Sequence, residues 1–244
     1  MLPAFAQVAG APRYHAPIQG KSEHGDGTAT SANWSGYAVT GMDFTKAAGS
    51  WIVPALTCNS GAEFAVFWVG IDGWTSSTVE QTGTEGICLG GTPVYLAWYE
   101  FYPALLVPIP SIAVKPGDKM SASVVYNTGT AEFTVEIKNE TTGKDYSKSS
   151  TVAGAERTSA EFIAEAPSAV IVLPLADYGT VLFGKDNTGL GGCTAEDSAT
   201  NGVIGSFPAA SIEQITMEKN NVMESIPSSL SSDGSSFSVT WAAP

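Results

Sequence analysis

The stretch Ala131-Glu-Phe-Thr-Val-Glu-Ile-Lys138 has the most regular pattern in the chain, because apolar and polar residues alternate along it. In an extended strand Phe133, Val135 and Ile137 fall on one side, and the polar residues between them fall on the other. This period of two predicts a β-strand with one buried face and one solvated face. Asn139-Glu-Thr-Thr-Gly143 follows as a turn, so the pattern predicts an antiparallel hairpin into the next segment.

Short runs of a similar kind recur along the rest of the chain, rich in β-branched or aromatic residues and bounded by Gly or Pro. They lie at residues 50–54, 64–71, 94–102, 119–126, 160–164, 169–173, 211–217 and 236–241. About a dozen strands without a long helical pattern predict an all-β sandwich or barrel. The length of 244 residues suits one large domain of this type.

Charge excludes one class of partner. Lys and Arg number 11 against 24 Asp and Glu, which gives a formal net charge of −13. A surface of this sign repels phosphate backbones, so we expect no nucleic acid partner. The chain also has no run of about 18 apolar residues, so we expect no membrane span.

The histidines exclude several kinds of catalysis, because His15 and His24 are the only two and both precede any recognisable strand pattern. A Ser-His-Asp triad, a Cys-His pair and a histidine-rich zinc site each need an imidazole inside the fold. The chain also lacks the Asp-Thr-Gly and Asp-Ser-Gly triplets that a two-lobed aspartic protease needs. If the protein is an enzyme, carboxylates and amides must carry the chemistry.

The three cysteines lack Cys-x-x-Cys spacing, which indicates one disulfide and one free thiol. Cys58 and Cys88 flank an apolar strand pattern, and we predict that they are bonded and that Cys193 is free. The alternative is that Cys193 pairs with one of them across the fold. The scarcity of lysine, the negative charge and the sequons at Asn33 and Asn139 are typical of a secreted, extracellular protein.

The first 30 residues carry both histidines and several Pro and Gly residues without sustained periodicity. We interpret residues 1–30 as a flexible N-terminal arm or the remnant of a pro-segment, dispensable for catalysis. Residues 31–244 contain no internal repeat and no boundary, so we expect them to form a single domain.

Acidic residues share strand faces with large aromatic residues at two places. The two-residue period puts Trp68 and Asp72 on one face, and it puts Trp98 and Glu100 on one face of the later strand. Cores ordinarily avoid carboxylates among aromatic rings, whereas clefts for peptides or sugars use them. The alternative is that the rings are packing residues and that Glu100 lies at a solvated strand end.

Two further segments carry reactive groups in apolar surroundings. Gln81 lies in Val79-Glu-Gln-Thr-Gly83, and Glu161 has Ala160, Phe162 and Ile163 around it. An apolar environment raises the pKa of a carboxyl group and suits it to proton transfer. The alternative is that Glu161 and Glu165 line a solvated strand face and that Gln81 is a turn residue.

Four ordered motifs resemble those of the glutamic peptidases, the eqolisins, over about residues 31–240. They are Trp68-Val-Gly-Ile-Asp-Gly73, Gln81-Thr-Gly83, Ala97-Trp-Tyr-Glu-Phe-Tyr-Pro103 and Ala160-Glu-Phe-Ile163, preceded by a similar entry at Asn33-Trp-Ser-Gly-Tyr37. The resemblance implies a secreted, acid-acting endopeptidase. It also implies that the chain folds as a sandwich of two antiparallel sheets with a concave substrate groove. It implies unfolded polypeptides as substrates and no metal or organic cofactor, and we expect a monomer.

Matching motif to motif places the family's catalytic dyad on Gln81 and Glu161. In this scheme Glu161 acts on water as general base and then as acid, and Gln81 stabilises the tetrahedral oxyanion. The same matching gives a substrate-binding set, namely Trp68, Asp72, Glu85, Trp98 and Glu100.

The chain departs from the family pattern in two respects. Many members carry cysteines close to both catalytic segments, and this chain has none there. Glu85 stands where relatives often have Asp, and its side chain is longer. One competing interpretation is a β-sandwich glycosidase with paired acids. The other is a carbohydrate-binding module, in which Trp68, Trp98 and Tyr102 would stack on sugars and Glu161 would be inert.

Overall fold

The structure is a computed structural model that describes residues 15–169 and 171–242. Within these residues the chain forms strands β1 to β18, one helical turn α1 and two short 3-10 turns. In chain order they are β1 Ser22–Glu23, β2 Thr28–Ser31, β3 Trp34–Thr40, β4 Lys46–Ile52, β5 Ala62–Ile71, β6 Val79–Leu89, β7 Thr92–Tyr102, β8 Val107–Pro108, β9 Lys119–Asn127, β10 Glu132–Asn139, β11 Lys144–Ser150, β12 Ser159–Glu165, β13 Thr180–Gly184, α1 Lys185–Thr188, β14 Thr194–Glu196, β15 Asn201–Val203, the 3-10 turns Ile204–Ser206 and Ala209–Ser211, β16 Ile212–Lys219, β17 Val222–Pro227 and β18 Ser236–Trp241.

The strands form the two layers of a β-sandwich, as the sequence resemblance implied. The first layer has the order β8-β7-β6-β5-β12-β3-β16-β2-β1. The second has the order β11-β10-β9-β4-β13-β18-β17, with β14 also beside β4 and β15 beside β14. β17 also pairs with β16 and so joins the layers, and among these pairs only β2 with β16 is parallel.

The hairpin predicted from the alternating stretch is present as β10 and β11, with Ile137 opposite Tyr146. Phe133, Val135 and Ile137 are buried, as the period of two predicted. The run expected at 169–173 was wrong as a strand among the described residues, where only an isolated bridge joins Ser168 and Val172.

The first layer is buried on both faces, which explains why its strand β5 reads as a nearly continuous hydrophobic run. One face packs against the second layer and contributes Phe67, Val69 and Phe162 to the main core. The opposite face carries a second cluster built around Trp34 and Trp68. This second face contains the candidate site.

The cysteine prediction is confirmed, because Cys58 and Cys88 form a disulfide and Cys193 is free and buried. The bridge ties the segment before β5 to the end of β6, which are neighbouring strands of the first layer. No helix among the described residues is long and apolar enough to cross a membrane.

The segment before the expected domain boundary packs onto the first layer. β2 extends across that boundary and runs parallel to β16. Residues 15–21 lie on the second face, with His15 fully buried and Ala16 nearly so. Their contacts belong to the candidate site.

Candidate active site

Strand register brings the two proposed catalytic residues onto one face of the first layer. Glu161 of β12 lies opposite Gly70 of β5, and Gly70 lies opposite Gln81 of β6. Gln81 in turn lies opposite Glu100 of β7. Directly paired residues of antiparallel strands project to the same side, so the three side chains face one groove. A β-carbon on Gly70 would lie 2.8 Å from Cζ3 of Trp68, so only glycine lets the indole cover this position.

The side-chain amide of Gln81 has two acceptors. Its Nε2 donates to Oε2 of Glu100 at 2.8 Å and to the backbone carbonyl of His15 at 2.6 Å. Both partners are hydrogen-bond acceptors, so the end of the Gln81 amide that faces them must be the NH2 group. Gln81 therefore presents an N–H to a carbonyl oxygen, which is the geometry needed to bind an oxyanion.

Glu161 is fully buried, and neither of its carboxyl oxygens has a hydrogen-bond partner. Burial raises the pKa of this carboxyl well above its usual range, and the nearby Ser159 hydroxyl opposes the rise. The charges of Asp72 and Glu80 raise the pKa further. A carboxyl in such surroundings readily exchanges its proton with a reacting group.

Asp72 lies just beyond the end of β5, in a left-handed conformation with φ 73°. The alternation of side chains that predicted Asp72 on the face of Trp68 therefore ends at Ile71, the last residue of β5. Its carboxylate accepts hydrogen bonds from the backbone N–H groups of Glu156, Arg157 and Thr158, at 2.9, 2.8 and 2.9 Å. Asp72 thus anchors the segment that leads directly into β12 and Glu161.

Indole rings form the walls of the groove. Trp68 and Trp98 are both fully buried, and Trp34 contacts Trp68 edge to face at 5.0 Å between ring centres. The His15 ring lies over Trp98 at 3.9 Å. The sequence placed Trp68 and Trp98 on this face, and both are members of its apolar cluster.

Three buried glutamates line the groove beside these rings. Glu85, Glu100 and Glu165 come from β6, β7 and β12, and none is exposed. Burial raises the pKa of Glu100 well above its usual range, although hydrogen bonds from the His15 N–H and from Gln81 oppose this. Glu165 accepts a hydrogen bond of 2.7 Å from Nε1 of Trp68.

Sequence reasoning did not single out Glu165 as a functional residue. The two-residue period places it on the same face as Glu161, but exposed strand faces show the same pattern. A distinguishing signal is its position opposite Val66 and Trp34, in the middle of an apolar sheet face. That position depends on strand pairing, which the sequence does not reveal.

The N-terminal segment 15–21 runs across this groove. The His15 N–H donates to Glu100 at 3.1 Å, and the Ile18 N–H donates to the Gly73 carbonyl at 3.1 Å. The Gln19 N–H donates to the side chain of Asn33 at 2.7 Å. The groove therefore binds a stretch of polypeptide backbone through backbone and side-chain hydrogen bonds.

A β-sandwich whose groove holds polypeptide backbone against a glutamine amide and a buried glutamic acid has the features of a glutamic peptidase. The profile of the Peptidase A4 family matches residues 32–241, and the chain belongs to this family. Its members among the similar proteins are glutamic peptidases, so the chain is a peptide-bond hydrolase.

Aspergillopepsin-2 from Aspergillus niger is 30% identical over 192 residues, which cover 69% of this chain and 68% of that protein. Scytalidopepsin B from Scytalidium lignicola is 36% identical over 138 residues, which cover 55% of this chain and 51% of that protein. A solved structure of scytalido-glutamic peptidase with a transition state analog inhibitor superposes with a TM-score of 0.71 at 26% identity. The match covers 86% of this chain and 98% of that chain.

Proposed function

We propose that this acid endopeptidase cleaves unfolded polypeptides with Glu161 as the general base and acid and Gln81 as the oxyanion donor. The observation that carries the proposal is the hydrogen bond from the Gln81 amide to the His15 carbonyl. A peptide carbonyl held in this way has its oxygen at a donor and its carbon open to attack. The similar scytalido-glutamic peptidase binds a transition state analog inhibitor, which supports peptide-bond hydrolysis by this fold.

The proposed reaction needs no group beyond these two side chains and water. Ionised Glu161 takes a proton from water, and the water oxygen forms a bond to the carbonyl carbon. The negative charge that develops on the carbonyl oxygen is stabilised by the N–H of Gln81. Protonated Glu161 then gives its proton to the amide nitrogen, and the C–N bond breaks to release a carboxylic acid and an amine.

Glu100 acts in this scheme by holding Gln81 in position. Its Oε2 accepts one N–H of Gln81, which leaves the other N–H for the substrate carbonyl. It also accepts the backbone N–H of His15, so the same oxygen aligns the bound chain. Gln81 is neutral, so unlike Lys or Arg it does not hold Glu161 permanently ionised.

The remaining substrate-binding candidates have three different roles. Trp68 and Trp98 provide apolar walls for side chains of the bound polypeptide. Asp72 acts indirectly, because its carboxylate binds the backbone that precedes β12. Glu85 lies opposite Leu96 and adds a carboxyl group to the groove face.

The acid range of the proposed activity follows from Glu161. Burial is the largest cause of its raised pKa. The proposed reaction brings water to Glu161, and hydration of the carboxyl reduces this desolvation, so the ionised form becomes accessible at acid pH. The loss of activity on the acid side of the pH–rate profile then reports protonation of Glu161.

Secretion is proposed on the disulfide between Cys58 and Cys88, because such bonds persist in oxidising compartments. The sequons give no support, since Asn33 and Asn139 are fully buried with hydrogen-bonded side chains. We propose that the secreted enzyme is a monomer and that, given its net charge of −13, it does not bind nucleic acid.

Hydrolysis assays test the proposal. Denatured protein should be cleaved at acid pH, with polysaccharide in a parallel assay left intact. A chelator, a serine-acylating reagent and a thiol-alkylating reagent should each leave the rate unchanged. Cleavage of the polysaccharide alone would favour a glycosidase, and binding without cleavage would favour a carbohydrate-binding module.

A further inference from the structure

The floor of the groove beside Gln81 contains a carboxyl group that the proposed reaction does not use. Glu165 is fully buried, its Oε2 is held by Trp68, and its Oε1 has no hydrogen-bond partner. The His15 ring occupies the space next to it, with Nδ1 at 3.6 Å from Glu165 Oε2 and the ring over Trp98. The backbone carbonyl of the same His15 is the one held by Gln81.

We propose that Glu165 determines substrate specificity by selecting an imidazole or another cationic side chain on the residue whose carbonyl binds Gln81. The inference rests on the proposed function, because the role of Gln81 defines that residue. Segment 15–21 thus shows how a substrate side chain enters the subsite, with its ring on Trp98 and its basic nitrogen beside Glu165.

The electrostatics of the groove favour a cation at this position. Glu85 and Glu100 lie close enough to Glu165 for their charges to act on it. Burial raises the pKa of Glu165 well above its usual range, so the empty site holds the protonated carboxyl at acid pH. A cation placed beside Glu165 favours the ionised form, so the two opposite charges form together when a cationic side chain binds. A neutral side chain of similar size fills the same space without this gain, so the site discriminates by charge as well as by shape.

Two peptides that differ only at the residue before the cleaved bond provide the test, one with His and one with Phe. The full chain is assayed about two pH units below the ordinary histidine pKa of about 6.5, where the imidazole is charged. We expect kcat/KM for the His peptide to be higher by about tenfold or more. Both peptides must displace segment 15–21, so its occupancy cancels from the ratio.

Glu165→Gln should abolish most of this preference. Glutamine keeps the size of the side chain and an acceptor for Trp68, but it removes the charge. We expect the His-to-Phe ratio to fall about tenfold, through a higher KM for the His peptide, while the Phe peptide changes less than about threefold. Glu224→Gln is the matched control, since Glu224 is a buried acid on β17, and it should leave the ratio unchanged.

Two results would overturn the inference: no preference for His in the parent enzyme, or an unchanged ratio in folded Glu165→Gln. A Lys and Met peptide pair tests the parent without any variant, and equal or better cleavage of the Met peptide would also overturn it. If the chain cleaves none of these peptides, the proposed function fails instead.

Discussion

The Gln81 amide and the His15 carbonyl are joined by a hydrogen bond of 2.6 Å, so the chain's own backbone lies where the proposed mechanism places the substrate carbonyl. Bound in this way, segment 15–21 competes with substrate. Because the competition is intramolecular, its effective concentration is high, on the order of millimolar for a short tether.

Deleting residues 1–21 should therefore raise kcat/KM for a peptide substrate, by about tenfold or more. The truncation keeps β1 and β2, and circular dichroism and the melting temperature verify its fold. A synthetic peptide of residues 15–21 should inhibit the truncated enzyme competitively. A folded truncation that has lost all proteolysis would show instead that the segment belongs to the catalytic site.

Asp72→Asn should weaken the segment that leads into Glu161. The three backbone N–H groups that Asp72 binds would lose a charged acceptor, and an asparagine NH2 would face one or more of them. We expect a loss of about 2 kcal/mol in the free energy of unfolding and a lower kcat.

Asp177→Asn is the control, because this half-buried aspartate accepts a backbone N–H from Gly179 outside the groove. It should change stability and kcat much less. Stability is measured by denaturant titration and kcat by enzyme kinetics. Equal effects of the two substitutions on both quantities would contradict a special role for Asp72.

The enzyme should be more stable at acid pH than at neutral pH. Burial, followed by the charge of Asp72, raises the pKa of Glu80 to about 9 from 4.5. Folding therefore favours the protonated carboxyl, so its contribution is complete below pH 4.5 and is lost as pH rises toward 9. At pH 7 the loss from this one group is about 3 kcal/mol.

Thermal unfolding at pH 4 and pH 7 measures this effect. The melting temperature should fall toward neutral pH, and Glu80→Gln should reduce the fall. Buried Glu100, Glu161 and Glu165 have raised pKa values and act in the same direction. A melting temperature that rises toward pH 7 would contradict the account.

Much of the fold was predictable because its signals are local. Alternation over 131–138 predicted β10, since only one face of that strand packs on the core. The disulfide was predictable because Cys58 and Cys88 flank a strand that pairs with the next one. The sharing of one face by Trp98 and Glu100 followed from the period of two, because β7 is regular through both.

Other parts of the site depend on pairings that the sequence does not encode locally. The binding of segment 15–21 uses the N–H and carbonyl of His15, and backbone groups carry no residue-type pattern. Glu165 looks like a solvated strand residue until β12 is placed between β3 and β5. Asp72 could be assigned to the groove by motif, but its backbone contacts required the loop at 156–158.

The central claim is that Gln81 and Glu161 act as one catalytic unit. Gln81→Ala removes an oxyanion donor, which should lower kcat by about 10²–10³. Because both groups serve the same step, the double variant with Gln81→Ala and Glu161→Gln should have a kcat barely lower than that of Glu161→Gln alone. If Gln81 and Glu161 had only independent structural roles, each substitution would change kcat little, and their losses of stability would add in the double variant.

The most direct measurement is the rate at which purified, folded Glu161→Gln cleaves a peptide at acid pH, compared with the parent enzyme. Glutamine keeps the shape of the side chain but cannot accept a proton from water, so turnover should fall to near background while the variant still binds the peptide. Cleavage by this variant at a rate close to that of the parent would contradict the assignment of Glu161 as the catalytic base.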